Sequence, residues 1–314
     1  MTLAADDGNT RMPPTPVTAI VVTYQSRDTV ANTMESLRKA HERGLLDCVV
    51  VDNASTDGTA AFLLQEHGWA RVIQNPRNVG YGRALNRGFE CVETDYVMFM
   101  NPDAVIAPDA LEVLVDFLAR TPGAGIVAPA IEVEDGTLQA AGGLPTPWRV
   151  VAAAAGFSAF GPERREIVPG SEPFRTDWLC GALLLARRTL INQLGGFDPR
   201  FFLYFEETDL CRRARLAGSE LWAVGQAVAY HVGGASGEGT EADRVWNCIS
   251  DHYYRSRYYY LKKHHGWLAA TGAEMAELVL LALRDVRNWV LRHPSRPLAA
   301  RLKAPILRCP QHDA

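Results

Sequence analysis

Apolar residues in the first hundred positions form short unbroken runs separated by helical stretches. Val17–Thr23 and Asp47–Asp52 are β-branched runs without alternation, which is typical of strands that are buried on both faces. Arg71–Gln74 and Asp95–Asn101 are two further strand candidates, and the segment that begins at Asp28 has apolar residues at helical spacing. Strands that alternate with helices over short connections predict an α/β fold, with a mostly parallel sheet and helices on both faces.

The pattern changes in the middle of the sequence. Pro129–Arg175 is rich in Gly, Pro and Ala and has weak periodicity, which predicts loops and short antiparallel strands. Trp178–Ala186 is a further strand candidate, Glu206–Leu216 predicts a helix, and Leu221–Val232 predicts two short strands. The last third of the sequence is helical in pattern.

Three segments follow from these patterns. We expect a flexible N-terminus over residues 1–16, an α/β domain over residues 17–235, and a basic, amphipathic helical extension over residues 236–314. The apolar residues that share one face of the final helix are Met275, Leu278, Val279, Ala282, Val286, Trp289 and Val290. The first 16 residues lack the apolar stretch of a secretory signal, and no run of about 18 apolar residues predicts a membrane span.

Composition and charge narrow the class of protein. The chain has 314 residues, 32 Lys+Arg against 36 Asp+Glu, and 47% hydrophobic residues. These values exclude a disordered or collagen-like chain, and the net charge of −4 argues against a nucleic-acid-binding protein. None of the 6 cysteines forms a CxxC pair, so zinc-ribbon and disulfide-framework interpretations have little support. We therefore expect a reducing, cytoplasmic environment.

Residues with useful chemistry cluster where the predicted strands end. Ligands of parallel sheets bind beyond the carboxyl ends of the strands, which directs attention to Thr23–Tyr24, Asp52–Asn53 and Asn101–Asp103. A turn or a helix cap would explain either carboxylate alone. A GxGxxG motif after the first strand and a P-loop are both missing from the sequence, which disfavours a dehydrogenase or an ATPase.

Taken in order, the motifs at these strand ends resemble those of glycosyltransferase family 2, the inverting enzymes with a GT-A (Rossmann-like) fold. The resemblance rests on VVTY at 21–24, VDNASTDGT at 51–59, the glycines of 78–88, NPD at 101–103, GGFD at 195–198, FEETDL at 205–210 and YH at 230–231. It covers residues 17–232. The segment FFLYFEETDLCRRARLAG is most similar to a rhamnosyltransferase-like branch that often uses dTDP-L-rhamnose.

The resemblance implies a site for the nucleotide of a sugar donor. The residues that it implies are Thr23, Tyr24, Asp52, Asn78, Gly80, Asn101 and Arg213. Asp52 would accept a hydrogen bond from the base or the ribose, and Tyr24 would stack on the base. Gly80 would let the backbone approach the nucleotide, or would serve a tight turn before a helix. Arg213 would contact phosphate or brace the nearby acidic residues.

The resemblance also implies a divalent cation, Mg²⁺ or Mn²⁺, beside the diphosphate. Asp103 matches the last residue of the family's DxD motif and would be a ligand, whereas Asn101 replaces the first aspartate. His231 matches a histidine that completes the metal site in many relatives, although a lone histidine more often packs or forms a hydrogen bond. A cation at this place would stabilise the charge that develops on the leaving diphosphate.

An inverting transfer needs one general base for the acceptor hydroxyl. The family places this base in an acidic pair at the start of a late helix, which here is Glu206-Glu207. Glu207 aligns with the usual aspartate and is the expected base, with Glu206 in reserve. Two acids also simply favour a helix N-terminus, which is the structural alternative. Trp178 and Gly181 would line the acceptor cleft.

The expected function is transfer of a sugar to a hydroxyl of a glycan or polyprenyl-linked glycolipid in cell-surface polysaccharide synthesis. The expected sugar is L-rhamnose from dTDP-rhamnose; a UDP- or GDP-sugar, or a non-catalytic sugar-nucleotide-binding protein, are the alternatives. The aromatic and basic cluster Tyr253–His265 would suit nucleic acid, but the net charge disfavours that partner. The basic C-terminal helix would suit the inner face of the plasma membrane, and a solvated tail on a packed helix is the alternative.

Overall fold

The computed structural model describes residues 16–157, 164–231, 242–293, 295 and 297–310. The expected N-terminal segment therefore lies almost wholly outside the described residues, as do residues 236–241 of the expected extension. The strands are β1 (Val17–Thr23), β2 (Leu46–Asp52), β3 (Arg71–Gln74), β4 (Tyr96–Met100), β5 (Ala104–Ile106), β6 (Ala124–Val133), β7 (Ala140–Gly142), β8 (Arg164–Glu166), β9 (Phe174–Thr176), β10 (Leu183–Arg187) and β11 (Glu220–His231). The helices are α1 (Val30–Glu42), α2 (Thr59–Glu66), α3 (Tyr81–Phe89), α4 (Pro108–Arg120), α5 (Pro147–Ala154), α6 (Arg188–Leu194), α7 (Glu206–Leu216), α8 (Ala242–His265), α9 (Trp267–Val290) and α10 (Pro297–Arg301).

One mixed, mostly parallel sheet organises the described residues. Its order is β3-β2-β1-β4-β10-β6-β11-β5, with β9 paired to β11 outside this path. Strands β1 to β4 are parallel to one another, and β10 is inserted antiparallel between β4 and β6. The parallel pairing of β1 with β2 places Thr23 directly beside Asp52. This arrangement confirms the predicted α/β fold.

The middle of the chain contains the expected short antiparallel strands and one long strand that the sequence did not predict. Strand β7 pairs antiparallel with β8, and β9 pairs antiparallel with β11, as expected. The same stretch begins inside β6, a mostly buried strand of 10 residues that runs parallel to β11. Ala, Gly and Pro interrupt the Ile and Val residues of β6, but its pairing with β10 and β11 outweighs the weak local signal. The two strands expected over Leu221–Val232 are the single strand β11, with an irregular pairing between Val224 and Val228.

Helices cover both faces of the sheet. Met34 of α1 and Leu114 of α4 are fully buried in the cluster on one face, and Leu85 of α3 and Leu210 of α7 are fully buried in the cluster on the other. Both clusters include side chains of the central strands, which explains why those strands are apolar without alternation. The layers hold the carboxyl ends of β1, β2 and β4 at one edge of the sheet.

The C-terminal helices pack beside the start of α7 through aromatic residues. A third buried cluster joins Phe201 and Phe205 to Tyr258, Tyr259 and Tyr260 of α8. These tyrosines are therefore part of a core, and they are not available to stack on nucleic-acid bases. A search of the described residues finds no helix whose length and hydropathy would let it span a membrane.

Candidate active site

Asp52 is held rigidly at the end of β2. Its carboxylate accepts a hydrogen bond from Thr23 Oγ1 (2.9 Å) and two from Ser55, through the backbone N–H (3.0 Å) and the hydroxyl (2.6 Å). Only 1% of Asp52 is exposed, whereas the neighbouring Tyr24 is 52% exposed. Ser55 was not among the predicted site residues, although its place three residues after Asp52 in a strand-end turn is typical of such a donor. The Asp52 carboxylate therefore has a fixed orientation, and the ring of the neighbouring Tyr24 is exposed to solvent.

The glycine at position 80 serves the turn before α3. Gly80 has φ +89°, and a Cβ added there would lie 2.6 Å from the carbonyl oxygen of Phe202. Asn78 Oδ1 accepts a hydrogen bond from the Gly80 backbone N–H (3.0 Å), and Tyr81 N–H donates to the same Phe202 carbonyl (2.8 Å). This geometry supports the tight turn expected at Gly80, and close approach of the backbone to the nucleotide, which can hold as well, stays a prediction.

Asn101, Asp103 and His231 come together at the start of β5. The antiparallel pairing of β11 with β5 places His231 opposite Ala104, directly after Asp103. His231 Nε2 lies 2.9 Å from Asp103 Oδ1 and 3.4 Å from Asn101 Nδ2. The other ring nitrogen, Nδ1, lies 3.1 Å from Gln139 Nε2. Gln139 was not identified from the sequence, since it lies 92 residues from its partner in a region without clear pattern.

Asp103 and His231 resemble the ligands of a divalent cation that phosphate groups would also bind. The described residues contain no set of three or more His, Cys, Asp or Glu side chains arranged to hold a metal ion. Asp103 and His231 nevertheless place one carboxylate oxygen and one imidazole nitrogen within 2.9 Å of each other. Mg²⁺ and related cations commonly take one or two protein ligands and complete their shell with phosphates and water. The two residues are thus chemically compatible with such an ion.

The two glutamates at the start of α7 have different surroundings. Glu206 is 5% exposed, and its Oε2 has no hydrogen-bond partner among the described residues. Glu207 is half-buried and accepts a hydrogen bond from Thr208 Oγ1 (2.9 Å), which in turn accepts one from Trp178 Nε1 (3.0 Å). A Cβ added to Gly181 would lie 3.1 Å from Glu207 Cβ. Trp178 and Gly181 therefore adjoin Glu207, the expected base.

Burial perturbs both glutamates. It raises the pKa of Glu206 well above its usual range, and the neighbouring charge of Glu207 raises it further. Burial also raises the pKa of Glu207, but the hydrogen bond from the Thr208 hydroxyl opposes this shift. Glu206 is the more deeply buried of the two, and its Oε2 has no partner among the described residues, so a proton shared by the pair is favoured on Glu206.

The guanidinium of Arg213 is bound within the protein. Its Nε donates to Asp209 Oδ2 (2.6 Å), and its two terminal nitrogens donate to the carbonyls of Leu194 (3.0 Å) and Gly196 (2.9 Å). All three guanidinium nitrogens are thus engaged within the protein. Of the two roles expected for Arg213, this geometry matches the bracing of an acidic residue rather than contact with phosphate.

Comparison with known proteins decides the family. The sequence model of the family described as Glycosyl transferase family 2 matches residues 18–179. The chain belongs to this family. The glycosyltransferase is similar to N-acetylglucosaminyl-diphospho-decaprenol L-rhamnosyltransferase from Mycobacterium tuberculosis, with 30% identity over 282 residues that cover 80% of this chain and 86% of that protein. It is also 27% identical to the O-antigen biosynthesis protein RfbC from Myxococcus xanthus, over 71% of this chain and 18% of that protein.

Solved structures confirm the GT-A fold of the glycosyltransferase. The structure of S. aureus TarS residues 1–349 has a TM-score of 0.52 and 16% identity, and covers 91% of this chain and 88% of that chain. The mannosyltransferase PcManGT from Pyrobaculum calidifontis, in complex with GDP-Man and Mn²⁺, has a TM-score of 0.52 and 20% identity, and covers 91% of this chain and 78% of that chain. The predicted family and enzyme class are therefore confirmed, whereas the roles of individual site residues stay predictions.

Proposed function

We propose that this glycosyltransferase transfers L-rhamnose from dTDP-L-rhamnose to a hydroxyl of a polyprenyl-linked glycan precursor, with inversion. The catalytic part of the proposal rests on the position of Glu207. This residue is half-buried, accepts a hydrogen bond from Thr208 and lies beside Trp178 and Gly181. The similarity to the mycobacterial L-rhamnosyltransferase, whose name specifies a decaprenol-linked acceptor, supports the donor sugar and the lipid carrier.

Glu207 acts as the general base in this proposal. The acceptor hydroxyl oxygen attacks C1 of the sugar on the face opposite the nucleotide, and the hydroxyl proton passes to the Glu207 carboxylate. The bond between C1 and the β-phosphate oxygen breaks, and its electron pair leaves with dTDP. Thr208 and Trp178 keep the carboxylate in place through their hydrogen bonds. In this proposal the buried Glu206 holds the proton that the pair shares, and it stays uncharged beside the base.

Asp103 and His231 would hold the divalent cation, and Asn101 would assist at the phosphate or ribose. A bound Mg²⁺ or Mn²⁺ would stabilise the negative charge of the departing diphosphate. With Asn101 in place of a carboxylate, the protein alone supplies few charged ligands, so we expect the cation and the nucleotide to bind together.

Asp52 would recognise the pyrimidine of the donor. An ionised carboxylate has about four acceptor positions, and Thr23 and Ser55 occupy three of them through three hydrogen bonds. One position remains for the N3–H of thymine or uracil. Tyr24, which is exposed beside it, offers a ring on which the base can stack.

The donor is tested by calorimetric titration of the protein with dTDP, UDP and GDP, each with and without Mn²⁺. We expect dTDP to bind most tightly, with at least a tenfold gain from Mn²⁺. Each nucleotide sugar is then incubated with a short-chain prenyl-diphosphate N-acetylglucosamine, and the product mass is measured. A product formed only from a UDP- or GDP-sugar would refute the rhamnosyl donor. Tight binding without turnover of any donor would support the non-catalytic alternative.

We further propose that the exposed face of α9 rests on an anionic membrane, where a polyprenyl-linked acceptor lies. The exposed apolar side chains on this face are Leu268, Met275, Val279, Leu283, Val286, Trp289 and Val290. Positions 268 and 290 are 22 residues apart, which corresponds to a stripe of roughly 33 Å along the helix. Such a stripe on a charged amphipathic helix is typical of contact with the lipid headgroup boundary.

The charges around α9 favour lipid over a second copy of the chain. Its two glutamates are buried and paired inward, Glu274 with Arg301 (2.5 Å) and Glu277 with Arg257 (2.8 Å). The exposed charged side chains beside the stripe include Arg287 and Arg292, whereas the third acid of α9, Asp285, is half-buried and accepts a hydrogen bond from the Leu298 backbone N–H (3.4 Å). A cationic rim attracts anionic lipid headgroups and would repel its equivalent in another copy.

Replacing Val279 and Val286 together by Asp should lower binding to vesicles of phosphatidylglycerol and phosphatidylcholine by tenfold or more. Both valines are exposed, so the fold should persist, but two charges would then oppose insertion of the stripe. Vesicle co-sedimentation measures the effect. The matched control is Leu64→Asp with Val168→Asp, two exposed apolar residues elsewhere on the surface. Equal loss in both variants, or a protein dimer that only the first variant dissociates, would overturn the membrane contact.

A further inference from the structure

The backbone is strained immediately before the proposed base. Tyr204 and Phe205 have φ values of +67° and +68°, in the left-handed region that side chains other than glycine rarely adopt. Two such residues in succession lead directly into Glu206 and Glu207, the first residues of α7. A strained conformation persists only where surrounding contacts hold it, and such positions are frequent at functional sites.

Helix α8 supplies contacts that hold this strained turn. Ser256, which is 1% exposed, donates a hydrogen bond from Oγ to the carbonyl of Leu203 (2.8 Å). The ring of Tyr253 packs 6.0 Å from that of Tyr204 and 5.4 Å from that of Phe205, measured between ring centroids. Each residue of the turn, from 203 to 205, therefore has a direct partner on α8.

The same helix also holds the first turn of α7 by charge. Lys263 Nζ lies 2.5 Å from Asp209 Oδ1 and 2.7 Å from Asp198 Oδ2, so it joins α7 to the segment before the strained turn. His264 Nε2 lies 2.7 Å from the same oxygen of Asp209. Asp209 is two residues after Glu207, so a shift of this anchor would move the base.

We propose that α8 is a positioning element for catalysis, in which Ser256, Tyr253 and Lys263 hold the strained turn so that Glu207 faces the cleft. The helical extension then has a role in the reaction that is independent of any membrane contact. The kinetic consequence rests on the proposed function of Glu207, but the structural consequence does not. Without these contacts the turn would relax towards an ordinary backbone conformation, and the start of α7 would rotate.

Ser256→Ala should lower kcat by about tenfold and leave the donor KM and nucleotide affinity within twofold. It should also speed amide hydrogen exchange in residues 203–208 by about tenfold. Tyr253→Ala should act in the same direction, and Tyr253 is 41% exposed, so its loss leaves no buried cavity. The control is Tyr258→Phe, which removes only the hydroxyl contact between α8 and Thr271 of α9 (3.0 Å) and keeps the aromatic ring in the buried cluster.

The two measurements separate failure of this inference from failure of the proposed function. Faster exchange at 203–208 with unchanged kcat would show that α8 holds the turn but does not position the base, and it would overturn the catalytic part of the inference. Unchanged exchange in both Ser256→Ala and Tyr253→Ala would overturn the inference, whatever the kinetics. Equal effects of Tyr258→Phe on exchange and kcat would also overturn it, because any loosening of the extension would then suffice.

Discussion

Replacing Glu207 by Gln should lower kcat by about 10²- to 10⁴-fold and leave nucleotide affinity within about twofold. The amide keeps the length of the side chain and its hydrogen bond with Thr208, but it cannot take the proton of the acceptor hydroxyl. The loss should therefore fall on turnover. Steady-state kinetics with a saturating donor, combined with calorimetry of the nucleotide, measures both quantities.

The pH dependence gives this variant a second signature. Because burial raises the pKa of Glu207, the unmodified enzyme should lose kcat on the acid side at a higher pH than a free glutamate would require. Glu207→Gln should lose this acid limb. The matched control is Glu206→Gln, which should keep kcat within about threefold, because the buried Glu206 does not take the acceptor proton in the proposed reaction. If Glu206→Gln is instead the variant that loses turnover, Glu206 is the base.

The acidic pair shows where sequence reasoning ends. The sequence places Glu206 and Glu207 together at the start of a helix, and both positions were predicted. It cannot distinguish them, because adjacent residues on a helix point about 100° apart and the direction of each depends on packing. In the structure Glu206 points into the protein and Glu207 lies against Trp178, which separates a buried acid from an accessible one.

The strand ends could be predicted because a buried parallel strand is recognised from its own run of apolar residues. Asp52 and Asp103 follow runs whose burial can be read directly from their apolar character, and the register of the sheet brings their partners to them. Gln139 and Ser256 were not predictable, since each acts on a residue more than 50 positions away. The strand β6 was not predicted because Ala, Gly and Pro interrupt its Ile and Val residues, and because its partners β10 and β11 lie far away in the sequence.

Asp209→Asn should destabilise the protein by about 3–5 kcal/mol at pH 7, because it removes the negative partner of two half-buried cations, Arg213 and Lys263. Asp209 is 0% exposed and pairs with Arg213, Lys263 and His264. The matched control is Asp116→Asn, which breaks an exposed pair with Arg120 and should cost less than about 1 kcal/mol. Urea unfolding followed by circular dichroism measures both free energies.

The pH dependence of this difference in unfolding free energy tests whether the negative charge of Asp209 causes it. Burial alone would raise the pKa of Asp209, but the hydrogen bond from His264 and the charges of Arg213 and Lys263 outweigh it, so the pKa lies below its ordinary value of 3.8. A carboxylate with a lowered pKa stabilises the fold above that ordinary value, and the contribution is lost as the pH falls through the folded-state pKa. The gap between Asp209→Asn and the unmodified protein should therefore stay constant from pH 7 to about 5 and narrow below about 4. A stability difference that persists unchanged at pH 3 would show that packing, rather than the buried charge, joins α8 to α7.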